Sequence, residues 1–176
     1  MDNSLTTSLT FGRFNLPHPG HVDLIRKMLE VSDRAVVGVS TGKANNDIEM
    51  RIEVLEQLCY RGRLDTDRIT FMGATTPYAL VDEWITDPVT GFTDLAVSRN
   101  TTMVLGIDQS VLGERIRDDF GIKFVPNEVR VGSSTVIRYF LEMGQEDIVR
   151  EIYHNDEWIF GDILDLRKEE IARENS

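Results

Sequence analysis

Cysteine is all but missing from this chain. Cys59 is the only one in 176 residues, which excludes an intramolecular disulfide and a cysteine-based metal cluster. It sits in an apolar helical pattern with Leu55 and Leu58, so a small core residue is expected rather than a nucleophile. Basic charge is short as well. Lys and Arg number 19 against 30 Asp and Glu, a net charge of −11. A non-specific nucleic-acid binder needs a basic footprint, which this balance denies it. A phosphate-rich small ligand is not excluded, because magnesium can carry part of the charge balance inside a locally positive pocket. No run of about 18 apolar residues exists, so no membrane span is expected. The opening MDNSLTTSLTFG has neither the basic nor the long apolar region of a signal peptide. A cytoplasmic protein is expected, with neither nucleic acid nor membrane as partner. A homo-oligomer is compatible with all of this.

The length predicts one domain over residues 1–176. Along it, strand and helix patterns alternate, which predicts a parallel sheet with helices on both faces. Thr6–Gly12 reads as a first strand. Gly20–Glu30 reads as a helix with Val22, Ile25, Met28 and Leu29 on one face. AVVGVS over Ala35–Ser40 is a buried-strand pattern. Asp47–Tyr60 reads as a helix with Ile48, Ile52, Leu55 and Cys59 inward, followed by a strand at Ile69–Met72. Pro77–Ile85 is a helix with Pro at its first position. Thr86–Asn100 shows turn residues and no period, and reads as a loop of low order. Strands at Thr102–Gly106 and Lys123–Val125 flank a helix at Ser110–Phe120. Ser134–Met143 is a helix stopped by Gly144, and the rest, Glu146–Tyr153 and Leu164–Arg173, is helical in pattern with a frayed end. The fold class expected is α/β: a Rossmann-like, doubly wound, parallel five-stranded sheet with a helical C-terminal extension.

Two segments carry chemistry. The first is Gly12-Arg13-Phe14-Asn15-Leu16-Pro17-His18-Pro19-Gly20-His21, where the first strand runs into the first helix. Ligands of doubly wound sheets bind where loops leave the carboxyl ends of strands, and a helix N-terminus is an anion site. Two of the three histidines stand there, three residues apart, beside an arginine. Gly20 lets backbone come close to a phosphate. His154 stands alone and is expected to be structural or solvent-facing. The second segment is Gly132-Ser133-Ser134-Thr135-Val136-Ile137-Arg138. Hydroxyl residues opening a helix supply caps and free N–H groups, the dipole favours an anion, and Arg138, one turn on, can fork onto the same phosphates. Gly38-Val39-Ser40-Thr41-Gly42-Lys43 is not a P-loop: only three residues part its glycines, and Ala44 follows the lysine. It reads as a loop from which Lys43 can reach a phosphate or stay in solvent.

The first segment resembles the HxGH signature of the nucleotidylyltransferase superfamily, and the second resembles its (I/V)SSTxIR signature, with Gly132 where the family has Ile, Val or Tyr. The resemblance runs from about Leu9 to about Tyr153. Within the superfamily, GRFxxxHxGH most resembles the archaeal-type nicotinamide mononucleotide adenylyltransferases, whose usual form is GRFQPFHxGH; here Asn15-Leu16-Pro17 stand for QPF. Arg51 resembles an acceptor-side arginine of that group. Gly106-Ile107-Asp108-Gln109 resembles its adenosine-side turn.

The resemblance implies transfer of AMP from ATP to a phosphorylated acceptor, with nicotinamide mononucleotide first and NAD and pyrophosphate as products. It makes His18, His21 and Arg138 catalytic. Phe11, Gly12, Arg13, Phe14, Gly20, Gly106, Asp108, Ser133, Ser134 and Thr135 would bind nucleotide, and Lys43 and Arg51 the acceptor. No protein metal ligand is expected; magnesium (Mg2+) would bridge the triphosphate. Cytidylyl transfer to a small phosphorylated alcohol, adenylyl transfer to phosphopantetheine or flavin mononucleotide, and a nucleotide-sensing module without turnover are the alternatives. For Arg51, near the edge of its helix's apolar stripe, a surface ion pair with Asp47 is the competing expectation.

Overall fold

The computed structural model describes residues 4–42, 47–127 and 134–176. Its contacts divide the chain into two compact units. The first comprises Met1–Gly12, Leu24–Ser40 and Asp67–Val129; the second comprises Arg13–Asp23, Thr41–Thr66 and Arg130–Ser176.

The first unit holds the sheet. Its strands are β1 (Thr7–Gly12), β2 (Arg34–Ser40), β3 (Ile69–Ala74), β4 (Thr101–Gly106) and β5 (Lys123–Asn127). They lie in the order β3-β2-β1-β4-β5, every pairing parallel. This is the expected Rossmann-like sheet, with the order reversing between β1 and β4. Period-two alternation sorts the strand residues onto two faces. Leu9, Val36, Met103 and Leu105 point into a core with Leu80, Val81, Ile85 and Ile116, contributed by α3 (Pro77–Ile85) and α5 (Ser110–Phe120). Ser8 points the other way, and its Oγ lies 2.6 Å from that of Ser32, just past α1 (Pro19–Val31). The last carbonyls of α1 would be orphaned at its C-terminus. Arg68 takes one of them and two just past the helix, donating to the carbonyls of Leu29 and Ser32 through Nη2 and to that of Asp33 through Nε, each at 2.7 Å.

Two findings in this unit refine the sequence reading. Thr86–Asn100 is not of low order. Thr86 bridges Thr93, the backbone N–H of Asp94 reaches the Ile85 carbonyl at 2.7 Å, and Asp94 caps α4 (Leu95–Arg99). A five-residue helix is too short to show a period, which is why the pattern missed it. β5 extends to Asn127 through Pro126, a residue an edge strand tolerates.

The second unit is helical. α2 (Ile48–Arg61), α6 (Ser134–Glu142), α7 (Glu146–Ile152) and α8 (Glu157–Glu174) gather Val54, Leu58, Ile137, Val149, Tyr153, Ile159, Phe160, Ile163 and Leu166 in one core. α6, α7 and α8 are the expected C-terminal extension. Gly144, at φ 71°, ends α6 with the paired backbone bonds Gly144 to Leu141 and Gln145 to Phe140 of a Schellman turn. α8 begins well before the expected Leu164. Asp156 caps it by accepting from the N–H groups of Trp158 and Ile159, and Ile159, Phe160, Ile163 and Leu166 form its buried stripe. The stripe of α2 is turned from the one expected: Arg51, Val54, Leu55, Leu58 and Cys59 are buried, while Ile48 and Ile52 are only half-buried. Cys59 is wholly inside, as a core residue should be, and His154 is exposed. Among the described residues no helix is long and apolar enough to cross a membrane.

Candidate active site

In the second unit His18, Pro19, Gly20 and His21 open α1 as a capping box built from imidazoles. The Nδ1 of His18 accepts the backbone N–H of Gly20 at 3.1 Å, and the Nδ1 of His21 accepts the backbone N–H of His18 at 3.2 Å. The cap residue thus takes the N–H of the second helical residue, and the third helical residue reaches back to the N–H of the cap, as in a capping box. Pro19, at the first helical position, has no N–H to orphan. The rings stack at 3.8 Å between centroids with 29° between planes, and Phe14 meets His21 edge-on at 4.7 Å. Phe14 holds φ at 49°, an uncommon conformation for a bulky residue.

This arrangement sets the protonation state. Each Nδ1 accepts an N–H, so the ring proton of the neutral imidazole lies on Nε2. Protonating Nδ1 would set donor against donor. Burial pushes His18 down to about 4. Burial, and then the nearness of His18, hold His21 well below the ordinary imidazole value. The positive end of the helix dipole acts in the same direction. At neutral pH the motif therefore carries two neutral Nε2–H donors at a helix N-terminus. Among the described residues neither Nε2 has a hydrogen-bond partner.

The loop leading into the histidines is irregular, and its carbonyls have no ladder to join. Side chains take them instead. Arg51 Nη1 donates to the carbonyl of Arg13 at 2.5 Å, Arg138 Nη2 to that of Asn15 at 2.7 Å, Ser134 Oγ to that of Leu16 at 2.9 Å and Tyr153 Oη to that of Pro17 at 2.5 Å. Burial pushes the Tyr153 phenol up, which keeps it a donor. Arg138 also forks onto Glu170 of α8, with Nε and Nη2 contacts of 2.6 to 3.0 Å. Arg167 Nη1 donates to the same carboxylate at 2.7 Å. Burial works against the charge on Glu170, but the hydrogen bonds from the two arginines outweigh it and hold the group below the usual carboxylate range.

Arg13, Phe14, His18, Gly20, His21, Arg51, Ser134, Thr135 and Arg138 thus all fall in the second unit, Arg13 and Thr135 exposed. Arg51 is not the solvated surface residue of the competing expectation, although the charge of Asp47 acts on its guanidinium. It is 1% exposed, and the Asp47 carboxylate caps α2 by accepting from the N–H of Met50. The reason is the turned stripe, which carries Arg51 to the inner face. Phe11, Gly12, Gly106 and Asp108 fall in the first unit, at the carboxyl ends of β1 and β4 where the strand order reverses. A Cβ on Gly106 would come within 2.6 Å of Asp108 Oδ1, so the glycine makes room for that carboxylate to fold back over it. Lys43 and Ser133 lie outside the described residues. Tyr153 and Glu170 were not foreseen: a lone tyrosine past a helix end and a glutamate within a charged run give no pattern to read.

Among solved structures the chain resembles a bifunctional NMN adenylyltransferase/ADP ribose pyrophosphatase from Francisella tularensis, at 18% identity and a TM-score of 0.58, covering 80% of this chain and 43% of that one. The same protein complexed with AMP and a manganese ion matches at 17% identity and a TM-score of 0.56, covering 77% of this chain and 41% of that one. A nicotinate-nucleotide adenylyltransferase from Vibrio parahaemolyticus matches at 19% identity and a TM-score of 0.56, covering 80% of this chain and 82% of that one. At these identities the likeness is one of fold. Among curated proteins, the bifunctional protein HldE of Rhodospirillum rubrum is 27% identical over 100 residues. That match takes in 54% of this chain and only 20% of the relative's length. The cytidylyltransferase-like family model matches residues 9–138, a span that takes in the histidine motif and ends on Arg138. That span is well over half of the chain, and the chain belongs to the cytidylyltransferase-like family.

Proposed function

We propose that residues 1–176 act as a single nucleotidylyltransferase domain of the archaeal type, transferring AMP from ATP to nicotinamide mononucleotide. The observation that carries this is the histidine capping box: two neutral Nε2–H donors stacked at a helix N-terminus. An oxygen of the acceptor phosphate attacks the α-phosphorus of ATP. The bond from that phosphorus to the α–β bridging oxygen breaks, and pyrophosphate leaves with the electron pair. No protein nucleophile takes part, so the chain contributes positioning and donors aimed at the charge that builds. His18 and His21 donate to the α-phosphate and the bridging oxygen. Neutral donors suit this role, because they need no proton uptake at neutral pH.

Arg13 and the uncommitted Nη1 of Arg138 hold the β- and γ-phosphates. The Ser134 hydroxyl is spent on the Leu16 carbonyl, so the contribution of Ser134 and Thr135 is the N–H groups of the first turn of α6, which lack intrahelical partners. Phe11, Gly12, Phe14, Gly20, Gly106, Asp108 and Ser133 take the nucleotide, and Lys43 and Arg51 the acceptor. Among the described residues no three His, Cys, Asp or Glu side chains gather to hold a metal. Magnesium would arrive on the triphosphate and neutralise part of its charge. The substrates are small cytoplasmic metabolites.

The description of the matching family, cytidylyltransferase-like, favours a second reading, cytidylyl transfer to a small phosphorylated alcohol. A pyrophosphate-release screen crossing ATP and CTP with phosphorylated acceptors separates the two. The expected result is release that requires ATP and nicotinamide mononucleotide together. Release with CTP and a phosphorylated alcohol selects the second reading, and tight nucleotide binding without release in any combination makes the chain a sensing module.

A further inference from the structure

We propose that Glu170 of α8 is a positioning residue for Arg138, holding one edge of its guanidinium so that the other edge faces the triphosphate. The proposal rests on the reading that Arg138 engages phosphate. It stands on the donor count. A guanidinium has five N–H donors. Arg138 gives its Nε–H to Glu170 and its two Nη2–H groups to Glu170 and the Asn15 carbonyl. The two on Nη1 have no partner among the described residues. The carboxylate is well enclosed, its side chain 12% exposed against 26% for Arg138 and 10% for Arg167. It also touches the histidine loop, where Asn15 Nδ2 lies 3.4 Å from Oε1. One carboxylate on the C-terminal helix therefore joins the two motif segments. It also offsets the repulsion between the two guanidiniums it binds.

A free arginine loses rotamer freedom when it grips a phosphate, and a held one has lost that freedom already. The gain is in affinity, felt equally by the ground state and the transition state, so it enters KM and leaves kcat. Glu170→Gln keeps the shape but turns an amide N–H toward one of the arginines.

The test measures Kd for magnesium-ATP by titration calorimetry, KM and kcat for ATP by pyrophosphate release at saturating acceptor, and the thermal midpoint. The proteins are wild type, Glu170→Gln, Arg138→Ala, the double variant and Arg167→Gln. We expect Glu170→Gln to raise Kd and KM for ATP by roughly 3- to 10-fold, with kcat within about twofold. The double variant should be no worse than Arg138→Ala. Arg167→Gln should lower the midpoint and leave KM alone. If Glu170→Gln does not fold, Glu170→Asp, one methylene shorter, carries the same test. The proposal is overturned if Arg138→Ala weakens ATP binding while the Glu170 variant does not. It is equally overturned if the two effects multiply, or if Arg167→Gln raises KM as much. An Arg138→Ala variant that binds ATP normally removes the phosphate role of Arg138 itself, and this proposal with it.

Discussion

The two units solve the problem of backbone polarity in different ways. In the first, strands satisfy one another: β1 lies between β2 and β4, and its main-chain groups are used in two parallel ladders. Side chains are then free to fill volume, and Leu9, Val36, Met103 and Leu105 do so. In the second unit the chain from Arg13 to Pro17 has no ladder, and its carbonyls draw donors from Arg51, Arg138, Ser134 and Tyr153. The first unit is accordingly sensitive to volume and the second to the loss of single polar atoms. An irregular loop has to be built by side chains, so residues that a motif suggests as ligand contacts are partly engaged in building it.

The largest expected effect is on the second unit's chemistry. His21→Ala should lower turnover roughly 100- to 1000-fold, about 3–4 kcal/mol of barrier, because a donor used mainly in the transition state is lost. Affinity for ATP should change far less. Measuring kcat beside a calorimetric Kd checks this, and a variant that keeps most of its turnover would remove His21 from the mechanism.

Next in size is Arg51→Ala. Its burial and its bond to the Arg13 carbonyl predict a loss of about 3 kcal/mol of stability, the scale of a hydrogen bond to a charged group with its carbonyl left unpaired. Denaturant unfolding should show the loss. An unchanged midpoint would mean the guanidinium does not hold the loop.

A matched pair then sharpens the comparison. Gly113→Ala drives a Cβ into the Phe124 ring, and overpacking of this kind costs about 1–3 kcal/mol. Tyr153→Phe removes one oxygen, leaves the Pro17 carbonyl unpaired and costs about 1–3 kcal/mol by another route. Both lower the melting temperature, but only Tyr153→Phe should also slow turnover. Equal kinetic effects would deny that the loop is held as described.

The last prediction is a pH dependence. Folded, His18 titrates near 4 rather than at its ordinary 6.5. Between those values the unfolded chain binds more protons, so stability falls as pH drops through that window and is fully present above it. Melting temperature should fall less between pH 7 and about pH 4.5 in His18→Asn, which cannot titrate there, than in wild type. Equal falls would mean that His18 does not charge on unfolding.

The sheet was legible because its signals are local and repeated. AVVGVS can scarcely be anything but a buried strand, α3 begins where Pro77 says it should, and α5 spans the expected Ser110–Phe120. The histidine pair was legible for the same reason, since the cap is written in four consecutive residues. What could not be read was partnership across the chain. Nothing near Pro17 announces Tyr153, 136 positions on, and nothing near Arg138 announces Glu170. The burial of Arg51 could not be read either, because it was expected at the edge of its helix's apolar stripe and the carbonyl of Arg13 that it meets lies inside.

The neutral histidine pair is the centre of this account, and the ¹⁵N chemical shifts of the imidazole rings at pH 7 in ¹⁵N-histidine-labelled protein report it directly. The account predicts two rings, removed by His18→Asn and His21→Ala in turn, each with a protonated Nε2 and an unprotonated Nδ1 at pH 7, the His18 ring keeping that form down to about pH 5. An imidazolium, or a proton on Nδ1 of either ring, would contradict the capping box and the donor role built on it.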